Sequence, residues 1–298
     1  MIVMKQLKVL IIGFALALFF SSAAWAGETH GACQQERTAA TTSSYSWLPN
    51  ESENHSILRR ISVPRGYERI EVKEGSFAHW LRNLPLKKGK PPVYLYNGKL
   101  KTNQDAHEAV ANIDVGDRDL QQCADSIIRL RAEYLFSIKK FGAINFNFTS
   151  GDIASWNQWK QGYRAIVHGN KVRWIQQAKP DSSYQNFRKY LNIVFTYAGS
   201  YSLSRELNGV SNVNQMEIGD IFIQGGFPGH AVIVVDIAVD KKTEEKIFLL
   251  MQSYIPAQDI HILKNPTDSH LNPWYSVNFG ETLKTPEWEF QKDNLMRF

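Results

Sequence analysis

Cysteine is scarce: Cys33 and Cys123 are the only two in 298 residues. A chain this poor in cysteine is not built on disulfides, and at most one bridge, Cys33 to Cys123, is open to it. Long apolar runs are scarce too. One stands at the start, VLIIGFALALFF at 9–20, and no later run is long and apolar enough to cross a bilayer, so an integral membrane protein is not expected. Charge of one sign is not concentrated. The net charge is +5, and Lys and Arg are scattered, as in RLRAEYLFSIKK at 129–140; this reads as a solvated helix face, and no nucleic acid is expected as a partner. There is no internal repeat and no low-complexity tract. Nor do His, Asp and Glu fall at a metal-ligand spacing: Asp105, His107, Glu108 and Asp114 read equally well as polar residues of a half-buried strand and its entry loop. No metal and no cofactor is expected.

What is present begins with a targeting signal. Lys5 and Lys8 precede the apolar run, and SSAAWA ends at Ala26 in an A-x-A-like pattern. This is the pattern of a secretory signal peptide over 1–26 and predicts a periplasmic or secreted protein. HGAC at 30–33 lacks the leucine of a lipoprotein box and is detached from the apolar run, so Cys33 is not read as a lipid attachment site. Residues 27–56, rich in Thr, Ser, Gln and Glu, predict a flexible leader. A single α+β domain is expected over 57–298, long enough to bury a core.

Within that domain, GDIFIQGGFPGHAVIVVDIA at 219–238 predicts a strand, a turn rich in glycine and proline, and a second, central strand apolar on both faces. His230 then stands where a rigid sheet meets an open loop, a common place for a catalytic group. A strand-end histidine that only bonds the turn fits equally well. Asn97-Gly98 predicts a two-residue hairpin turn within PVYLYNGKLK at 92–101. In DRDLQQCADSIIRLRAEYLF at 117–136, Leu120, Cys123, Ile127, Leu130 and Tyr134 recur at helical spacing. Asp119 followed by Gln122 resembles a capping box, which places Cys123 in the first turn, where the helix dipole lowers a thiol pKa. The same residue also suits a plain core position. Trp156, Trp159 and Trp174 are either a stacking platform for sugar or core.

Cys123 on a helix, Gly229-His230 at the mouth of a strand and Gln252-Ser253-Tyr254 at the end of the next follow in that order. With Gln121-Gln122-Cys123 and Gly219-Asp220, this resembles the papain-like CHAP-type (cysteine, histidine-dependent) amidases and peptidases of bacterial envelopes. Over nearly its whole mature length the chain also resembles the bacterial family known as domain of unknown function 4846, through NQDAHEAVANIDVG, RDLQQCAD, GFPGHAVIVVD and QSYIPAQDIH.

The CHAP-type resemblance implies an antiparallel sheet or half-barrel packed against the helix that carries Cys123. It also implies acyl transfer: Cys123 attacks a carbonyl, His230 accepts and returns the proton, and Gln252 holds the imidazole tautomer. Gln122 and the helix-start amides supply an oxyanion hole, and Tyr254 lies within reach of substrate. The expected function is therefore an exported cysteine hydrolase acting on an envelope peptide or a peptidoglycan-like amide. Two alternatives stay open: a non-catalytic envelope glycan- or peptide-binding module with Trp156, Trp159 and Trp174 lining its groove, and a structural Cys33–Cys123 disulfide.

Overall fold

The computed structural model describes residues 45–48 and 55–298. The expected signal peptide, most of the leader and Cys33 lie outside the described residues. In chain order the elements are α1 (Ile57–Arg60), β1 (Tyr67–Arg69), α2 (Phe77–Arg82), β2 (His107–Val110), α3 (Cys123–Ser137), β3 (Asn145–Asn147), β4 (Ile153–Ser155) and α4 (Trp156–Lys160). Then come β5 (Tyr163–His168), β6 (Lys171–Gln176), α5 (Tyr184–Tyr197), α6 (Ser200–Glu206), β7 (Asn208–Gly209), β8 (Ile221–Gln224) and β9 (His230–Asp240). The last are β10 (Lys246–Gln252), β11 (His261–Leu263), β12 (Tyr275–Ser276), β13 (Thr282–Lys284), β14 (Glu289–Gln291) and β15 (Leu295–Arg297). Three two-stranded hairpins stand apart from one nine-stranded sheet ordered β2-β11-β10-β9-β8-β15-β7, with β1 added to β9 and β12 to β10. Its pairings are antiparallel, and the fold class is α+β.

The apolar run after His230 decides where the sheet's centre lies. Every residue of β9 from His230 to Ala238 is buried, because Ala231, Val232, Ile233, Val234 and Val235 leave no polar face to turn outward. β9 therefore takes β8 on one edge and β10 on the other. Helices α2 and α3 pack on it, and α6 packs on β8. One face of the strand pair carries Phe222, Gln224, His230 and Val232 in register. Phe279 and Phe290, from the C-terminal segment, cover that face with their rings 5.9 and 6.0 Å from Phe222.

The hairpin expected around Asn97-Gly98 forms in a short version: on either side of the antiparallel Tyr94–Leu100 bridge the Leu95 N–H donates to the Lys99 carbonyl at 2.8 Å and the Lys101 N–H to the Val93 carbonyl at 3.0 Å. One detail is corrected: the Gly98 N–H donates to the Leu95 carbonyl at 2.9 Å, so the loop runs from Tyr96 to Gly98 and not over Asn97-Gly98 alone. The Gln104 side chain bonds the N–H and the C=O of Val93, and Asp259 takes the Tyr94 N–H, which ties the hairpin to the domain. The C-terminal segment contributes β15 to the main sheet between β8 and β7. Asp220 anchors it there by accepting from Arg297 Nε at 2.6 Å and Nη2 at 2.8 Å, so the Gly219-Asp220 pair serves the sheet.

The buried polar residue in the middle of β9 is Asp236, fully shielded from solvent. Its carboxylate accepts from Arg69 Nε at 2.5 Å and Arg82 Nε at 2.7 Å, and from the N–H of Ile237 at 2.9 Å. Removing one partner of such a set strands the others without compensation, at a cost of about 3–5 kcal/mol. Asp236→Asn is expected to lower the unfolding free energy by that amount in urea titrations, and a loss below about 1 kcal/mol would show that the arginines do not depend on it.

Candidate active site

Cys123 is the first residue of α3, with Gln122 as N-cap. This shifts the helix start three residues beyond the Asp119 cap expected from sequence. The carboxylate that reaches back to the cap belongs to Asp125, whose Oδ2 accepts the Gln122 N–H at 3.2 Å. Asp119 holds the approach instead, its Oδ1 accepting from the Ala257 N–H at 2.7 Å and from Gln122 Nε2 at 3.0 Å. Behind the helix, the fully buried Arg129 donates to Gln121 Oε1 and to Asp114 Oδ1, both at 2.6 Å. Ser253, just past β10, shares its hydroxyl hydrogen between the carbonyls of Gln121 and Gln258, 3.0 and 2.9 Å away. The segment leading into Cys123 is thus pinned from the helix side and from the sheet side.

His230 opens β9 after a turn that needs its glycines. A Cβ on Gly225 would meet Ser204 Oγ at 2.1 Å, and one on Gly229 would meet Ser200 Oγ at 2.3 Å, because α6 lies directly against the turn. The imidazole Nε2 stands 2.8 Å from Gln252 Oε1. Gln252 is fully buried, and its Nε2 donates to Glu287 Oε2 at 2.8 Å. A carboxylate can only accept, so the amide nitrogen of Gln252 faces Glu287 and its oxygen faces His230. It follows that Nε2 of His230 carries the proton and Nδ1 is the basic nitrogen. Gln252 Nε2 also lies 3.4 Å from His261 Nε2, and His261 Nδ1 lies 2.8 Å from the Asp259 carbonyl, which puts the His261 proton on Nδ1. Lys101 closes the chain with Nζ 2.7 and 2.6 Å from the two Glu287 oxygens.

Cys123 and His230 both line one cleft of about 580 Å³. Gln122, Tyr254 and Trp288 also line it, with Phe227 of the turn and Ile255 beyond β10 at its rim. The rings of Tyr254 and Trp288 sit 4.7 and 5.3 Å from that of His230. Of the aromatic residues expected from sequence to bind substrate, only Tyr254 lies here. Trp156 and Trp159 are buried in the core, Trp156 against Phe187 and Tyr190 and Trp159 donating to Asn186 Oδ1 at 2.9 Å. Trp174 is half-buried on β6, stacked on Phe148. Trp156 and Trp159 lie three residues apart on α4, and that spacing points both inward. Among the described residues Cys123 is a free cysteine; the alternative Cys33–Cys123 bridge involves Cys33, which lies outside them. No cluster of three or more His, Cys, Asp or Glu residues suited to a metal occurs among the described residues, and Asp114 is taken by Arg129 and Arg188. Sequence reading missed Glu287 and Lys101, since an isolated Glu in a polar tail and a Lys after a turn look like surface charges.

Electrostatics reverse one expectation. Burial, followed by the nearby Asp125 carboxyl, pushes the Cys123 thiol up to about 11, against backbone N–H groups, among them that of Ala231, which favour the thiolate. The helix start pulls the other way but does not prevail over desolvation at a residue 5 % exposed. Burial likewise lowers His230 to about 4, opposed by its bond to Gln252, and lowers His261 to about 3. The resting pair is a neutral thiol and a neutral imidazole.

A family model described as Domain of unknown function (4846) matches residues 57–297. No curated protein and no solved structure matches the chain.

Because both imidazoles are held neutral in the fold, the unfolded chain, with histidine near 6.5, binds protons first as pH falls. Stability is therefore complete above about pH 6.5 and declines as pH drops towards 4, by about 3 kcal/mol for His230 alone. Urea midpoints measured from pH 7 to pH 4 should fall along this slope, and His261→Asn should flatten it. A profile unchanged by that substitution would contradict the assigned neutral state.

Proposed function

Since the chain belongs to that family, whose description names no activity, we propose from the chemistry of its cleft that it is a papain-like cysteine hydrolase or acyl transferase acting on a peptide or amide of the cell envelope. The observation that carries this reading is the protonated Nε2 of His230 bonded to Gln252 Oε1 at 2.8 Å, which leaves Nδ1 as the base in a cleft shared with Cys123. With both groups neutral at rest, the Cys123 proton passes to Nδ1 as sulfur bonds to the carbonyl carbon and the carbonyl electrons move to oxygen. The imidazolium returns that proton to the departing amine. Water, deprotonated by the same nitrogen, then releases the acyl group from sulfur. Gln252 keeps the ring in the required tautomer. Gln122, whose side chain Asp119 holds, and the backbone amides at the start of α3 serve the oxyanion.

The raised thiol pKa favours a second reading, a ligand-binding cleft on the same fold in which Cys123 is only a small buried side chain. Turnover separates the two. Purified protein incubated with envelope peptides and followed by mass spectrometry should release amine products. Cys123→Ala should abolish release, and His230→Ala should slow it by about 10²–10⁴-fold. Equal release by wild type and Cys123→Ala would end the hydrolase reading, and binding without turnover in both would establish the second.

A further inference from the structure

We infer that the cleft selects an uncharged substrate carrying an aromatic or branched aliphatic group beside the reacting amide, and turns anionic chains away. This rests on the acyl-transfer reading and narrows it. Two large hydrophobic side chains stand out in solvent at the cleft's rim: Phe227 is 85 % exposed and Ile255 57 % exposed. They come from the two neighbours of β9, Phe227 from the turn after β8 and Ile255 from the chain leaving β10, so His230 lies between their strands. Exposed side chains of this size, grouped over a concave site, mark a surface that gains by being covered. Below them the lining continues with Leu120, Phe195 and Trp288, and Trp288 is held by its Nε1 bond to Gln224 Oε1 at 3.3 Å.

Charge argues in the same direction. Among the described residues no Lys or Arg lines the cleft, and its ionisable residues besides Cys123, His230 and Tyr254 are Asp119 and Asp125. Asp119 is already bonded to the Ala257 N–H and to Gln122. The cation behind His230, Lys101, is buried and contacts both oxygens of Glu287. A substrate carboxylate would therefore lose its water beside a carboxylate and find no cation in exchange. An apolar side chain would meet Phe227 and Ile255 without that penalty.

The test uses peptidyl acyloxymethyl ketones of one backbone, with Phe, Leu, Glu or Lys next to the warhead, on the full chain. Adduct formation is mapped to Cys123 by peptide mass spectrometry, and each rate is divided by that of iodoacetamide at the same residue. Phe and Leu probes should label at least about tenfold faster than the Glu probe, the scale on which apolar pockets discriminate. Phe227→Ala and Ile255→Ala should each lower the Phe ratio by a similar factor. Glu labelling as fast as Phe, or ratios unmoved by both substitutions, would overturn the inference while leaving the nucleophile intact. A second arm measures binding of the matching peptide amides to Cys123→Ser by calorimetry. If no reagent modifies Cys123 yet that variant prefers the Phe amide, the nucleophile reading fails and the apolar site stands.

Discussion

The site depends on one fully buried side chain, Gln252, which spends both ends of its amide. Its oxygen meets His230 at 2.8 Å and its nitrogen meets Glu287 at 2.8 Å. Because the second partner can only accept, the first must donate, and the tautomer of His230 follows from a carboxylate that never touches it. Lys101 balances that carboxylate, so the negative charge is satisfied away from the imidazole. A neutral amide thus stands between the imidazole and the ion pair. It orients the ring without imposing a full charge on it, and this agrees with a histidine lowered to about 4.

A second constraint brings sulfur to the same cleft. Arg129 grips Gln121 from within α3, while Ser253 grips the carbonyl of Gln121 from the end of β10. Gln252 and Ser253 are consecutive, so one turn of chain leaving the sheet orients the histidine and docks the segment that ends in Cys123. Burial is the cost of this arrangement: shielding from water raises the thiol and lowers the imidazole, so no charge separation exists before a substrate arrives.

Much of the framework was readable from local pattern. An apolar run without a polar face reads as a central strand, and β9 is one; leucine, isoleucine and tyrosine at helical spacing read as a helix, and α3 spans most of that stretch. The errors share a cause. Asp119 looks like a cap and Trp156 looks available to a ligand, because spacing reports what a segment prefers in isolation. Ala257, distant in sequence, takes the Asp119 carboxylate instead, and Phe187 and Tyr190 pack on Trp156.

By itself the sequence determined that His230 begins a buried central strand and that Cys123 falls near a helix start, since these follow from periodicity and turn chemistry. Only the tertiary structure decided that Glu287 and Lys101 stand behind Gln252, that Trp156 and Trp159 face inward, and that both candidate reactive groups rest uncharged. Those outcomes depend on desolvation and on partners far apart in the chain, and neither quantity is encoded in local spacing.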